Sequence, residues 1–154
     1  RRFTNKIYSK GRVSVPAKFR AVSIAQGMNG VVCFPPLNAG AFIEGCGPAF
    51  SGTIDQMLDR LDPFSPERDM LASVLVGESA ELTFDADGRV VLPETLRKYA
   101  GIGDEATFVG MGQKFQIWEP RAYEAYYAKA LEGAQAHREL LRSPFAAPQG
   151  GGSR

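Results

Sequence analysis

Two kinds of hydrophobic periodicity alternate along this chain. At 11–20 the segment GRVSVPAKFR sets Val13 and Val15 two residues apart behind a glycine, and at 88–97 GRVVLPETLR does the same with Val90 and Leu92. Period-two alternation of this kind predicts short, half-buried strands that follow a turn at Gly11 or Gly88. Each strand runs into a proline, Pro16 or Pro93, which suits the first position of a helix because its missing N–H leaves nothing unsatisfied there. PETLRKYAG therefore reads as a short helix with an acidic first turn, stopping near Gly101. Hairpins are predicted next. In the first half VSIAQ and VVCF would be joined by a tight type I′ turn at Asn29-Gly30; in the second, ATFVG and KFQIW are joined through Met111, Gly112 and Gln113. Pro35-Pro36 and Glu119-Pro120 end these strands, since proline cannot donate to a ladder.

Helical spacing takes over in two other places. Within 51–62, Ile54, Met57, Leu58 and Leu61 share a face, and Ser65-Pro66-Glu67 predicts a capped start for a helix carrying Met70, Leu71, Val74 and Leu75 inward. Residues 120–142 predict one long amphipathic helix, mildly interrupted at Gly133. The tail at 143–154, dominated by Pro, Gly and Ser, is expected to be disordered.

The similarity between 11–20 and 88–97 is an internal repeat at a constant displacement of 77, with Gly11/Gly88, Arg12/Arg89, Val13/Val90, Pro16/Pro93 and Arg20/Arg97 identical. A second match sets 22–36 against 106–120 at a displacement of 84, ascribed to a longer insert, KYAGIGDE, in the second copy. A module of about 45 residues buries too little surface to stand alone, so each copy is expected to pair with another. The implied organisation is one module at 5–51, a helical connector at 52–78, a second module at 80–123, a helix at 124–142 and the tail.

Charge changes this picture only through its distribution. The net charge is +1, yet residues 1–20 hold Arg1, Arg2, Lys6, Lys10, Arg12, Lys18 and Arg20 and no acid, whereas 51–100 hold ten acidic against five basic side chains. A basic arm on a nearly neutral chain attracts phosphate locally while the remainder limits indiscriminate binding. The two cysteines, Cys33 and Cys46, follow neither metal nor redox spacing, which suits a reducing cytoplasm. No apolar run approaches the roughly 20 residues a membrane helix needs. The chain begins at Arg1 without a methionine, so one or more residues are expected to precede it.

At KGRVSVPAKFR, echoed by DADGRVVLPETLR, the chain resembles the MraZ family of bacterial transcriptional regulators over roughly residues 3–142. The resemblance implies an α+β fold of two pseudo-symmetric, swapped-hairpin β-barrel modules of the AbrB type. It also implies a homo-oligomeric ring, an octamer or larger. That ring would bind double-stranded DNA at short tandem G-rich repeats upstream of its own operon, the division and cell-wall gene cluster, with repression as the expected sense and the nucleoid as the expected location. The family motif, Asp-x-x-x-Arg before a helix-opening proline, is met at Asp85, Arg89 and Pro93; the first copy keeps Lys10, Gly11, Arg12 and Pro16 but has Tyr8 where the family has Asp. The family's DNA-reading side chains carry over to Lys10 and Arg12, and by repeat symmetry to Arg89.

The chemistry suits these residue types. Lysine offers a mobile point charge to phosphate, arginine a planar fork matching guanine O6 and N7, and Gly11 keeps the backbone low enough for close approach. Without an acid at position 8, Arg12 is expected to stay available, whereas Asp85, Asp87 and Glu94 are expected to surround Arg89. The first copy would then face DNA and the second serve mainly assembly. Lys18 and Arg20 could add phosphate contacts, although the recurrence of Arg20 as Arg97 favours a structural ion pair for both; Lys6 could reach the DNA backbone. Asp85, Asp87 and Glu94 fit a calcium loop poorly, because Pro93 and Val90-Val91-Leu92 would lie inside it. No metal, cofactor, small-molecule substrate or enzymatic pair is expected. The competing reading, an AbrB-type antitoxin or interaction module, needs a tail with apolar anchors, which SPFAAPQGGGSR lacks.

Overall fold

Strands from the two repeats interleave because neither repeat can satisfy its own backbone. The computed structural model describes residues 1–141, so the tail expected at 143–154 lies outside the described residues. The first repeat supplies β1 (Arg2–Tyr8), a single 3-10 turn (Ser9–Gly11), β2 (Arg12–Ser14), α1 (Ala17–Ala25), β3 (Gly30–Phe34) and β4 (Ile43–Cys46). A helical connector follows, α2 (Pro48–Asp59) and α3 (Pro66–Ala72), the latter running on into a π turn (Ser73–Gly77). The second repeat supplies β5 (Ala80–Thr83), β6 (Arg89–Val91), α4 (Glu94–Tyr99), β7 (Glu105–Gly110) and β8 (Lys114–Trp118), before α5 (Pro120–Ala136).

The eight strands form one antiparallel sheet in the order β5-β3-β4-β8-β7-β1-β2-β6. Its two ends, β5 and β6, are consecutive in sequence, and the Asp85 N–H bonds the Arg89 carbonyl at 2.9 Å across the turn between them, curling the sheet nearly into a barrel. The fold is α+β with swapped hairpins: β1 of the first repeat pairs with β7 of the second, and β5 of the second pairs with β3 of the first. At the centre, Val13 lies opposite Val90, its own counterpart 77 residues later, so a pseudo-twofold axis passes between β2 and β6. Both valines are buried, as are Val15 and Leu92, and burying a side chain of this size is worth roughly 1.5–3 kcal/mol. Phe19 of α1 stacks on Phe115 at 5.1 Å and packs against this core.

Register corrects the second repeat match. Val31 pairs with Leu82 as Ala106 pairs with Asn5, which equates Val31 with Ala106 at a displacement of 75, not 84. VSIAQ is accordingly not a strand. It forms most of the latter half of α1, and Asn29-Gly30 is a helix-to-strand link rather than a hairpin turn. The helix wins because the Pro16 carbonyl accepts from both Phe19 and Arg20, starting the helical ladder, and because Ser23 Oγ donates to the Gly30 carbonyl and ties the helix to β3. The first-copy hairpin is β3–β4, joined by the long segment 35–42. Pro16 and Pro93 each sit one position earlier than expected, as extended caps just before the first helical residue.

In the connector Ile54 and Leu58 are buried, but Met57, Leu61 and Met70 are exposed, so the inward face is narrower than the spacing suggested. Ser65 caps α3 as expected, its Oγ accepting from the Arg68 N–H at 3.2 Å. The chain divides into two compact units at Tyr123/Glu124, and all eight strands belong to the first. In the second, α5 continues through Gly133 without interruption to Ala136, and one 3-10 turn follows at Arg138–Leu140.

One ion pair is built into the sheet. Lys114 Nζ donates to both carboxylate oxygens of Glu44 at 2.8 and 2.9 Å, with the Glu44 side chain 8% and the Lys114 side chain 24% exposed. Removing the lysine leaves a buried carboxylate unpaired. Lys114→Met is expected to lower the unfolding free energy by about 2–3 kcal/mol, less than for a fully buried pair because the lysine keeps some water. Adding Glu44→Gln should recover much of that loss, and urea denaturation of the singles and the double measures it. A Lys114→Met protein as stable as the parent would show that the pair contributes nothing.

Candidate nucleic-acid interface

The repeat places two turns in equivalent positions, and each is built differently. In the second turn Asp85 Oδ1 accepts from the N–H groups of Asp87 and Arg89 at 2.8 and 2.9 Å, so a carboxylate caps the turn from inside. Those backbone bonds, the Arg89 one first, hold its carboxyl below the usual range, with the charges of Arg89 and Arg12 adding to the effect. At the equivalent place in the first turn stands Tyr8, which has no carboxylate to offer. That turn closes instead as a 3-10 turn with Lys10 at φ 65° and Gly11 at φ 78°. Lys10 is the only residue other than glycine with a positive φ among the described residues. A lysine held in the left-handed region is strained, and it sits where the cationic side chains are exposed.

β2 and β6 form a two-stranded ribbon whose inner side is Val13 and Val90 and whose outer side carries Arg12, Ser14, Arg89 and Val91. Arg12 lies opposite Val91 and Arg89 opposite Ser14, so the two arginines are diagonal neighbours related by the pseudo-twofold axis. Tyr8 pairs with Arg12 on the next strand, and its ring lies under the Arg89 guanidinium at 5.1 Å. Of the residues named from the sequence, Arg12 and Arg89 thus share the outer face of the ribbon, and Lys10 is exposed in the turn that leads into Arg12. Lys6 is exposed on β1 opposite Glu105 and Lys18 is exposed on α1, neither on the ribbon.

Among the described residues Arg20 shows a hydrogen bond and packing rather than the expected ion pair. Its Nη1 donates to the Val15 carbonyl, and its guanidinium packs over Gly88 in the other repeat's turn. Arg97, its counterpart, packs over Gly11. Glu94 is also placed elsewhere than expected, within 3.4 Å of Lys98 one helical turn along, while Arg89 has both expected aspartates beside it, Asp87 at 3.9 Å and Asp85, whose carboxyl its charge helps to lower. The two thiols are buried: Cys46 is pushed up to about 11 by burial and then by Glu44, and burial raises Cys33 further still. Both are inert at neutral pH.

Comparison with known proteins now decides the family. A family model described as "MraZ protein, putative antitoxin-like" matches residues 75–143. A protein of Parvibaculum lavamentivorans named "Transcriptional regulator MraZ" is 70% identical over 155 residues, covering 99% of this chain and 96% of the relative. Proteins with the same name from Beijerinckia indica and Rickettsia bellii are 46% and 42% identical, covering 95% and 90% of this chain and 88% and 92% of theirs. The chain belongs to the MraZ family.

Set against Asp85, its counterpart 77 residues later, Tyr8 is the difference between the two turns with the clearest structural effect. It offers Arg12 no acid and presents an aromatic face that holds Arg89, 35% exposed, against the ribbon. Sequence reasoning missed this role because Tyr8 and Arg89 lie far apart in the chain; the signal available was an aromatic residue aligned with a motif aspartate.

Lys10→Gly is expected to raise stability by roughly 0.5–1 kcal/mol, since glycine takes the left-handed conformation freely. Thermal unfolding tests it, and a lower midpoint would refute the strain. Asp85→Ala should lower the midpoint at neutral pH, whereas Asp85→Asn, which keeps an Oδ1 acceptor, should lose less. Because the folded carboxyl titrates below its unfolded value, the cap's contribution is complete at neutral pH and is lost as pH falls through the folded value, below about pH 4. The gap between Asp85→Ala and the parent should therefore close in acid.

Proposed function

We propose that the chain is a DNA-binding transcriptional regulator that presents the β2–β6 ribbon and the Lys10 turn to double-stranded DNA. The observation that carries this reading is the outer face of the ribbon, where Arg12 and Arg89 are diagonal neighbours over a buried valine pair. A two-stranded ribbon fits the major groove, and arginine on a rigid strand can hold guanine O6 and N7 through two parallel bonds. Val91, half-exposed beside Arg12, offers an apolar contact for a thymine methyl. Lys10 reaches phosphate as a point charge, with Lys6 and Lys18 as outlying phosphate contacts. Arg12 is the principal reader. Arg89, held by Tyr8 and near Asp87, contributes less. The names of the relatives support the same reading, since each is called a transcriptional regulator.

One ribbon makes few contacts, so we infer a homo-oligomeric ring, an octamer or larger, that lines several ribbons along tandem short repeats upstream of the chain's own operon. Linked weak contacts then combine into avidity. The regulated genes are those of the division and cell-wall cluster, the sense is repression, and the protein acts in the cytoplasm at the nucleoid.

Fluorescence anisotropy with a duplex of the chain's upstream region tests this. Arg12→Ala should weaken binding by about 1–3 kcal/mol per engaged ribbon and Arg89→Ala by less. Affinity should fall more than about tenfold between 50 and 200 mM salt as phosphate contacts are screened. Equal losses for the two variants would overturn the ranking, and salt-independent affinity the whole reading.

A further inference from the structure

The contacts of Arg20 and Arg97 cross between repeats in a way that ties each turn to the opposite helix. Gly11 has φ 78°, and its carbonyl accepts from Leu92, the residue just before the second repeat's Pro93, at 2.9 Å. A methyl group added at Gly11 would lie 2.8 Å from the Leu92 carbonyl oxygen and 3.3 Å from Arg97 Nε. The mirror arrangement holds at Gly88, φ 76°, whose carbonyl accepts from Val15 at 3.1 Å. A methyl there would lie 2.7 Å from Arg20 Nε and Cζ. Both glycines therefore satisfy two demands at once, a left-handed backbone and room for a guanidinium from the other repeat. Among the described residues Arg97 Nε is buried with no hydrogen-bond partner, and what the guanidinium meets there is the turn at Gly11.

We propose that Arg97 is a positioning residue for the Lys10–Gly11–Arg12 turn, and Arg20 its counterpart for the turn at Gly88, so that each repeat's helix sets the shape of the other repeat's turn. Arg97 touches no ligand in this scheme. It acts through Gly11, whose movement displaces Arg12 directly, and misplacement of a recognition side chain by about 1 Å is enough to weaken a geometry-dependent contact. The consequence for binding rests on the reading of this turn as a DNA contact; the brace itself does not.

The two can be separated by hydrogen exchange and DNA binding on the full chain. Arg97→Met should speed amide exchange across residues 9–12 and leave 86–89 unchanged, and Arg20→Met should do the reverse. In the anisotropy assay Arg97→Met should weaken binding by roughly three- to tenfold, and should add nothing when combined with Arg12→Ala. Faster exchange in the variant's own repeat, equal changes in both turns, or no change in either would overturn the brace. If Arg12→Ala leaves affinity intact, the DNA reading fails while the crossed exchange pattern still decides the brace. Should Arg97→Met fail to fold, Arg97→Lys retains charge and stem but not the planar group, and an unchanged 9–12 exchange rate in that variant would count against the proposal.

Discussion

Everything in the first unit depends on main-chain pairing that crosses from one repeat to the other. β1 finds its partner in β7 and β5 finds its partner in β3, so a lone repeat would leave strand edges open on both sides. The valine pair on the pseudo-twofold axis and the buried residues around it can exclude water only once those ladders have formed. Cohesion is thus long-range in sequence. Folding must bring together segments about a hundred residues apart before the core is rewarded, which is the kind of topology that folds slowly.

On that scaffold the polar features fall into two sets with different work. Glu44 with Lys114, and Gln116 accepting from the Trp118 indole N–H at 2.9 Å, satisfy polar atoms inside the sheet. The turns and ribbon carry charge outward instead. Their asymmetry is local: an aspartate cap in one turn, a strained lysine and an aromatic platform in the other, on strands that remain related by the same axis. Net charge near zero then follows as the sum of a basic ribbon side and an acidic connector, rather than as evidence against a nucleic-acid partner.

Much of this was legible in the chain itself. Gly, Arg, Val and Pro recurring at one displacement disclosed the repeat, because a turn, a strand and a helix start each demand a particular residue. Ser65 disclosed its helix for the same reason. The second match failed because VSIAQ alternates polar and apolar residues well enough to pass for a strand, while the competing evidence, the hydrogen bonds accepted by the Pro16 carbonyl, is not written in side-chain polarity. Met57, Leu61 and Met70 were misplaced because spacing identifies a face but not how much of it a neighbour covers. The contacts of Arg20 with Gly88, Arg97 with Gly11 and Tyr8 with Arg89 were out of reach, since each crosses the pseudo-twofold axis and only three-dimensional pairing selects it.

Joining both halves in one polypeptide has a further effect. Were the barrel assembled from two identical single-repeat chains, any substitution would appear twice, and replacing the motif aspartate would strip both turns of their cap together. Covalent duplication uncouples them: position 8 is tyrosine while position 85 is aspartate. One turn is therefore free to specialise while the other keeps its aspartate cap.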